Sequence, residues 1–327
     1  MKMAEIRWGM IGCGDVTEVK SGPGFQKAPH SRLVAVMRRN GKLAEDYARR
    51  HGVPKWYSDA DSLIADPDVD AVYVATPPAF HKDYAIAAAR AGKPVYVEKP
   101  MALTFADCEA MLDEFQSKQI PLFVAYYRRA MPRFLKVKEL LDGNAIGAVR
   151  FVQVSQYARP SEKDLAKALS WRVDPQIAGG GYFYDMGSHT IDFLDFLFGP
   201  IDKAQGYASN QAGLYAAEDT VAGSFVFKSG LQGAGTWCFA APYDYEAVEI
   251  IGEKGRLIVS MFANLPVRLI TGAGEEQFMI EHPAHVQQPL IETVVNELLG
   301  LGNCLSSGIT GARTNWVMEQ MIKRIDR

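Results

Sequence analysis

The chain has 327 residues, and because domains are typically about 100–200 residues long, this length predicts two domains. Hydrophobic residues make up 48% of the chain and charged residues 22%, which excludes a disordered protein and predicts a globular one with a large core. The net charge of −3, from 35 basic and 38 acidic side chains, provides no overall attraction to nucleic acid or an anionic membrane, so small molecules are the expected partners.

The first part of the chain alternates short apolar runs with segments of helical periodicity, the pattern of βαβ units around a parallel sheet. The predicted strands are IRWGMI (6–11), RLVAVM (32–37), DAVYVA (70–75), PVYV (94–97) and PLFVAY (121–126). The predicted helices lie at 43–50, 81–92 and 104–115. Residues 1–124 are therefore predicted to form a doubly wound Rossmann domain.

The first predicted strand runs into GCGDVT (12–17), in which Gly12 and Gly14 take the first two positions of GxGxxG and Thr17 the third. Such a motif alone is as often a tight turn, but a second strand follows at the separation expected of a dinucleotide site. Proline and glycine at 22–24 predict a short or broken first helix. The loop residues expected to contact the pyrophosphate of a dinucleotide are Gly12, Cys13, Gly14, Asp15 and Val16.

The second predicted strand ends in VMRRNGK (36–42), where an NAD-binding site usually has an acidic residue for the adenine ribose. Arg38 and Arg39 stand there instead, and a guanidinium matches a 2′-phosphate in charge and in geometry. We therefore expect NADP(H) to be preferred, with NAD(H) possible. The alternative is that both arginines belong to a solvated surface turn.

Two further polar stretches follow predicted strands, at the edge where open parallel sheets bind ligands. Thr76 and Pro77 come after DAVYVA, where the nicotinamide ribose should pass, and Glu98 and Lys99 come after PVYV. For Lys99 the alternative is a merely exposed strand end. His81, at the start of the next predicted helix, is as an isolated residue more simply a helix N-cap.

Beyond about residue 148 the pattern changes to strands joined by short turns, which predicts an antiparallel sheet. Those strands are FVQVSQYA (151–158), TVAGSFVF (220–227), LQGAGTWCFAA (231–241), EAVEIIG (246–252) and RLIVSMF (256–262). Helices are predicted around 289–300 and 312–325. The second domain, residues 125–327, is thus predicted to be an α+β domain with an open, mostly antiparallel sheet.

The stretch DMGSH places Asp185 and His189 four residues apart, so both can share one face if a helix begins near Gly187. An imidazole with a pKa near about 6.5 is well suited to exchange a proton near neutral pH. The same pair could be a helix cap and a half-buried histidine, or metal ligands. No third ligand lies at a telling spacing, so we predict no metal.

With GCGDVT, DAVYVATPPAFH, AGKPVYVEKPMA and GGGYFYDMGSHTID in this order, the chain resembles the Gfo/Idh/MocA family of nicotinamide-dependent oxidoreductases. The resemblance implies a Rossmann domain followed by an open sheet domain that often makes the oligomer contact, here as a dimer or tetramer. Many members act on sugars, inositols or related cyclic polyols and diols. The paired arginines look more like the NADP-using branches of the family.

The resemblance also implies that Lys99 contacts the reacting oxygen and that the Lys99–Pro100 bond is cis. We assign His189 as the leading proton donor or acceptor, Lys99 as polariser of the substrate oxygen, and Asp185 as hydroxyl acceptor or orienter of His189. The implied substrate contacts are Lys99, Tyr127, Trp171, Arg172, Asp185 and His189. The resemblance extends a cofactor or substrate contact to His81 and a cofactor contact to Glu98. The alternative role of Trp171 is packing in a core, and the alternative for the arginines next to Tyr127 is a solvated basic face.

The leading hypothesis is an NADP(H)-dependent oxidoreductase that acts on a sugar-like or cyclic diol or carbonyl compound. The alternatives are an enzyme that holds NAD(P) tightly to oxidise a glycoside transiently, and a non-catalytic NADP(H) sensor. The widely spaced cysteines lack a CxxC pair, which argues against a disulfide framework and favours a cytoplasmic setting. No signal core and no run of about 18 apolar residues occurs, so neither export nor a membrane partner is expected.

Overall fold

A computed structural model describes residues 4–323, and these form two compact units. The first runs from the first described residue to Met131 and includes Pro283–Ala312. The second comprises Pro132–His282 and the chain from Arg313 onward. Each unit has its own sheet, and the predicted fold class is confirmed.

The first unit is built on a six-stranded parallel sheet with the strand order β3-β2-β1-β4-β5-β6. Strands β4, β5 and β6 of this sheet are buried along their whole length, because helices cover both faces of a doubly wound sheet. The strands are β1 (Ile6–Ile11), β2 (Ser31–Met37), β3 (Lys55–Tyr57), β4 (Ala71–Val74), β5 (Val95–Val97) and β6 (Leu122–Val124). The helices are α1 (Asp15–Val19), α2 (Gly22–Lys27), α3 (Gly41–His51), α4 (Ala60–Ala65), α5 (His81–Arg90) and α6 (Phe105–Ser117).

The break predicted in the first helix is confirmed. Helix α1 ends at Val19, and α2 begins at Gly22 with Pro23 in its first turn, where a proline needs no amide hydrogen. Gly24 of α2 allows a close approach, since a Cβ there would lie 3.0 Å from Ile291.

The second unit contains an eight-stranded sheet with the order β14-β13-β12-β11-β7-β10-β9-β8. Among the described strands of this sheet, only the β7–β10 pair is parallel. The strands are β7 (Val149–Tyr157), β8 (Ile201–Ser209), β9 (Thr220–Phe227), β10 (Gln232–Cys238), β11 (Tyr245–Gly252), β12 (Gly255–Val259), β13 (Val267–Thr271) and β14 (Gly274–Phe278). The helices are α7 (Pro132–Asp142), α8 (Glu162–Leu165), α9 (Pro175–Ala178) and α10 (Ser188–Phe198).

The chain then returns to the first unit with α11 (Gln288–Leu298), and the last helix, α12 (Gly308–Ile322), begins there and continues into the second. The single boundary predicted at residue 124 therefore differs from the structure, in which the first unit continues to Met131 and regains a later segment. Within residues 4–323, no helix combines the length and apolarity needed to cross a membrane.

Candidate cofactor and substrate sites

The glycine-rich loop follows β1 and is fixed against the ends of β2 and β4. The Gly12 amide donates to Met37 O at 2.9 Å, and Gly12 has φ +94. A Cβ at Gly12 would lie 2.9 Å from the carbonyl of Ala75, whereas a Cβ at Gly14 would meet nothing nearer than 3.9 Å. Gly12 is therefore required by sterics, and the backbone at Gly14 borders open space that a phosphate can enter.

The side chains of Cys13 and Thr17 point inward, whereas Asp15 is exposed and Val16 is half-buried. Thr17 is fully buried, and its hydroxyl donates to Gly14 O at 2.7 Å, which ties the helix to the loop. The Cys13 thiol lies 3.6 Å from Met37 O, and burial raises its pKa to about 11. Cys13 can therefore face a ligand only through its backbone.

The paired arginines after β2 are exposed and have separate contacts. Arg38 donates to Cys13 O at 3.5 Å, at the edge of the glycine-rich loop. The guanidinium of Arg39 lies 5.3 Å from the centre of the Phe80 ring, a cation–π contact. Phe80 was missed by the sequence interpretation, although an aromatic residue in the turn after β4 was a readable signal.

Thr76, directly beyond β4, carries a buried hydroxyl oxygen that has no hydrogen-bond partner among residues 4–323. Burying an unsatisfied hydroxyl costs roughly 1–3 kcal/mol, so such a group indicates a site completed by a ligand. The contact of Thr76 and Pro77 with the nicotinamide ribose stays a prediction.

His81 is fully buried and links the ends of two strands. Its Nε2 lies 2.7 Å from Thr76 O and its Nδ1 3.0 Å from Pro100 O, while burial lowers its pKa. The N-cap interpretation is wrong, because Phe80 is the N-cap of α5 and His81 is its first residue. A ligand contact by His81 stays a prediction, and both ring nitrogens already face backbone carbonyls.

Glu98 and Lys99 follow β5, and the Lys99–Pro100 bond is cis, as the resemblance implied. Lys99 is half-buried at this edge of the sheet. The Glu98 carboxylate turns inward and accepts from the Tyr73 hydroxyl at 2.5 Å, from Gln287 at 2.7 Å, and from the Lys99 amide at 3.2 Å. Glu98 therefore supports the backbone that carries Lys99, through partners that the sequence did not reveal.

Tyr127 lies in the 3₁₀ turn Tyr127–Ala130, which follows β6 at the same edge of the parallel sheet as Lys99. Its ring is 8% exposed and lies 5.1 Å from the Arg128 guanidinium. The basic cluster is thus buried and is not the solvated face that was the alternative.

In the second unit, three of the predicted substrate residues lie together. Asp185 belongs to the π-helical segment Phe183–Gly187, and Arg172 Nε lies 3.4 Å from its carboxylate. The Arg172 guanidinium also stacks 4.6 Å from the Trp171 ring, which is 37% exposed. His189 follows about one turn later at the start of α10 and is 4% exposed. π-helical segments often mark functional sites.

Gln156 on β7 is a candidate that the sequence interpretation missed. It is 4% exposed, and neither atom of its amide has a partner among the described residues. It lies opposite Trp237 in the sheet, and that ring packs 5.0 Å from Phe183, so Gln156 faces the side that carries Asp185. The signal was an amide where the alternation after Val152 and Val154 calls for an apolar residue.

Comparisons with known proteins agree with this architecture. Residues 6–126 match the family described as "Oxidoreductase family, NAD-binding Rossmann fold", and residues 134–258 match "GFO/IDH/MocA C-terminal domain". Oxidoreductase P35 of Formosa agariphila is 40% identical over 90% of this chain and 92% of its own. The 1,5-anhydro-D-fructose reductase of Ensifer adhaerens is 28% identical over 93% and 92%. The crystal structure of aldose-aldose oxidoreductase from Caulobacter crescentus with glycerol superposes with a TM-score of 0.86 at 25% identity, covering 97% and 96%.

Proposed function

Because this chain belongs to the Gfo/Idh/MocA oxidoreductase family, we propose NADP(H)-dependent hydride transfer between nicotinamide and a sugar-like or cyclic polyol or diol substrate. An NAD(P)-dependent dehydrogenase or reductase acting on CH–OH groups is what the family establishes. NADP preference and the substrate class are the proposal. Reduction is the expected direction in the cell, and a cytoplasmic location stays a prediction.

One observation carries the proposal. The residues that follow β1, β4 and β5 lie at the carboxyl edge of neighbouring parallel strands, where this type of sheet binds its ligand. They are the Gly12 loop, Thr76 and Lys99. The open space at Gly14 and the unsatisfied Thr76 hydroxyl fit a dinucleotide, since a phosphate can enter the first and a ribose hydroxyl can bond the second.

The preference for NADP(H) is supported by charge. Arg38 and Arg39 bring two cations to the end of β2, and no carboxylate stands beside them to accept hydrogen bonds from an adenine ribose. The Phe80 ring gives the Arg39 guanidinium a flat surface against which it stacks. Both guanidinium groups are exposed and therefore available to a 2′-phosphate.

The proposed chemistry gives a role to each of the predicted side chains. The bound cofactor supplies a carbon that accepts or donates a hydride. Lys99 polarises the substrate oxygen with its ammonium group, and His189 takes the hydroxyl proton in oxidation and returns it in reduction. Asp185, fixed by Arg172, accepts a hydrogen bond from a neighbouring hydroxyl. The Gln156 amide and the Trp171 ring suit a polyol, because they offer hydroxyl partners and an apolar face.

The test is a spectrophotometric assay of NADPH and NADH oxidation against 1,5-anhydro-D-fructose, keto-sugars, deoxyosones and diketones, with alcohols and NADP⁺ in reverse. We expect turnover of at least one compound and a fall in kcat of about 100-fold or more in Lys99→Met. Arg39→Ala should raise KM for NADPH about 10- to 100-fold and leave NADH unchanged, since a charge-assisted hydrogen bond contributes about 1.5–3 kcal/mol. Arg49→Ala, at another exposed arginine, is the control.

Each alternative has its own result. Consumption of a glycoside with no net change in nicotinamide absorbance would identify the enzyme that holds its cofactor for transient oxidation. Tight NADPH binding without turnover of any compound in either direction would identify a sensor. An unchanged ratio of NADPH to NADH efficiency in Arg39→Ala would contradict the NADP assignment.

A further inference from the structure

The 260–263 loop, between β12 and β13, is held on one side by a buried arginine. Arg133, in the first turn of α7, is 1% exposed. Its Nη1 donates to Ala263 O at 2.6 Å and its Nη2 to Ser260 O at 2.8 Å. Nη1 also lies 3.1 Å from His282 Nε2. A buried guanidinium must find acceptors for its hydrogens, and this one finds two of them on the carbonyl groups of a single loop.

A carboxylate holds the same loop by its donors. Glu246 on β11 accepts from the amides of Phe262 at 2.9 Å and Ala263 at 2.6 Å, and from the Ser260 hydroxyl. Arg133 thus binds carbonyl groups of the loop and Glu246 binds its donors, so each charged side chain contacts backbone groups of opposite partial charge. Two opposite charges together fix the backbone of the loop.

The loop presents Phe262 to His189. The two rings lie 5.9 Å apart at an interplanar angle of 75°, an edge-to-face contact. The neighbour of Arg133, Phe134, packs in the same manner at 5.0 Å against Phe193, one turn beyond His189 on α10. Helix α7 therefore contacts both the loop that carries Phe262 and the helix that carries His189.

We propose that Phe262 is a positioning residue for His189, and that Arg133 and Glu246 act by holding the 260–263 loop. The proposal rests on the proposed function, in which His189 moves the proton. An imidazole that must take a proton and return it needs a fixed ring plane, because proton transfer requires a short, aligned hydrogen bond. The edge-to-face contact fixes that plane and keeps water from one side of the ring. Phe262 does not itself touch the reacting atoms in this role.

The first test is independent of turnover. Histidine labelled at Cε1 is introduced into the full chain, and the His189 resonance is assigned among the six histidines by its loss in His189→Asn. Phe262→Leu keeps an apolar side chain but removes the ring, and we expect it to shift and broaden the His189 resonance and to move its titration midpoint. Phe278→Leu, on β14, should leave that resonance unchanged. An unaltered His189 resonance in Phe262→Leu would overturn the proposal.

The second test uses whichever compound the NADPH assay identifies, with 1,5-anhydro-D-fructose as the first probe. Phe262→Leu should lower kcat about tenfold, move the pH profile of kcat, and change KM little, because substrate binding does not use this ring. Glu246→Gln should show a smaller fall of the same kind. Arg133→Lys should recover part of what Arg133→Met loses. A raised KM with an unchanged kcat and pH profile would show that the loop has only a structural role. Absence of turnover in the wild type would contradict the proposed function, and the resonance test would then decide the role of Phe262 by itself.

Discussion

Thr76 and His81 occupy the same turn after β4, yet the structure gives them opposite hydrogen-bonding states. His81 has a carbonyl oxygen at each ring nitrogen, whereas the Thr76 hydroxyl has no partner within the described chain. A group that is already bonded supports the shape of a site, and a group that is buried and unsatisfied gains from a ligand. Removal of the Thr76 hydroxyl should therefore weaken cofactor binding without lowering the stability of the free protein.

Thr76→Val replaces the hydroxyl by a methyl group of similar shape. We expect the dissociation constant of NADPH, measured by fluorescence titration, to rise about 5- to 10-fold, the effect of losing one hydrogen bond of about 1 kcal/mol. The apo protein should be as stable as the wild type or slightly more so, because an unsatisfied buried hydroxyl is lost.

Thr104→Val is the matched control for that substitution. Thr104 is the N-cap of α6 and accepts from the Asp107 amide at 3.1 Å. Its loss should cost about 1 kcal/mol of stability and leave NADPH affinity unchanged. A Thr76→Val protein that loses stability while binding NADPH normally would show that the hydroxyl serves the fold alone.

Sequence motifs predicted the residues whose role depends on backbone position. Gly12 is required by its positive φ and its close neighbour, and a glycine at that place in the motif is a direct sign of both. The roles of Gln156, Phe80 and Tyr73 depend instead on which groups their side chains contact. That depends on strand register and on tertiary packing, which a motif does not encode.

At the scale of elements, the short helix α1 after the glycine-rich loop is tied to α3 by charge. Glu18 accepts from Arg50 at 2.7 Å and lies 2.7 Å from His51 Nε2. The hydrogen bond from Arg50, reinforced by His51, lowers the pKa of Glu18 to about 2. The ionised carboxylate therefore favours the folded state, and the contribution is fully present above the ordinary pKa near 4.5 and is lost as the pH falls toward 2.

Glu18→Gln should lower the free energy of unfolding near pH 6 by no more than about 1 kcal/mol, since the pair is partly exposed and screened by solvent. The difference from the wild type should shrink steadily between pH 4.5 and pH 2, because the unfolded chain then takes up the proton first. Urea unfolding at a series of pH values measures this. Glu45→Gln, at an exposed carboxylate of the same α3, should show no such trend, and a constant difference across the range would rule out the ion pair as its cause.

The hydrophobic pattern of the sequence predicts some strands of the structure and misses others. The sequence predicts β1 and β4 because these central strands are apolar apart from Arg7, as is typical of strands that are covered on both faces. The strands β3, β8, β13 and β14 were missed. β3 has only 3 residues, and β14 (GEEQF) is almost wholly exposed at the sheet edge, so neither carries an alternating pattern.

The sequence predicts two domains, but it does not predict that the first includes the later segment Pro283–Ala312. The amphipathic pattern of α11 predicts that one face of the helix is buried, but it does not predict in which domain that face packs. The structure supplies the partner, since Ile291 of α11 lies beside Gly24 and Gln287 donates to Glu98. No change in composition marks the return of the chain.

The predicted homo-oligomer concerns the sheet of the second unit. One face of the eight-stranded sheet holds fully buried residues such as Val248 and Ile250, whereas its other face leaves Ile251, Ile258 and Phe151 half-exposed. A half-exposed apolar sheet face is typical of an interface between copies. The dimer or tetramer stays a prediction.

Light scattering of the purified chain should give a mass of two or four copies. Ile251→Asp should lower that mass, because a desolvated carboxylate at an interface is costly, while in the single chain it lies opposite Arg256 and remains tolerated. Leu301→Asp, at a residue 65% exposed in the first unit, should not change the mass. A monomeric wild type would dismiss the interface.

The discontinuity of the first unit limits how relatives of this enzyme can be recombined. A chimaera with one crossover near Met131 would pair Glu98 of one parent with the residue that the other parent has in place of Gln287, within a buried carboxylate network. Exchange of the nucleotide-binding half therefore requires two further junctions, one on each side of Pro283–Ala312, so that the transplanted module carries its own returning helix.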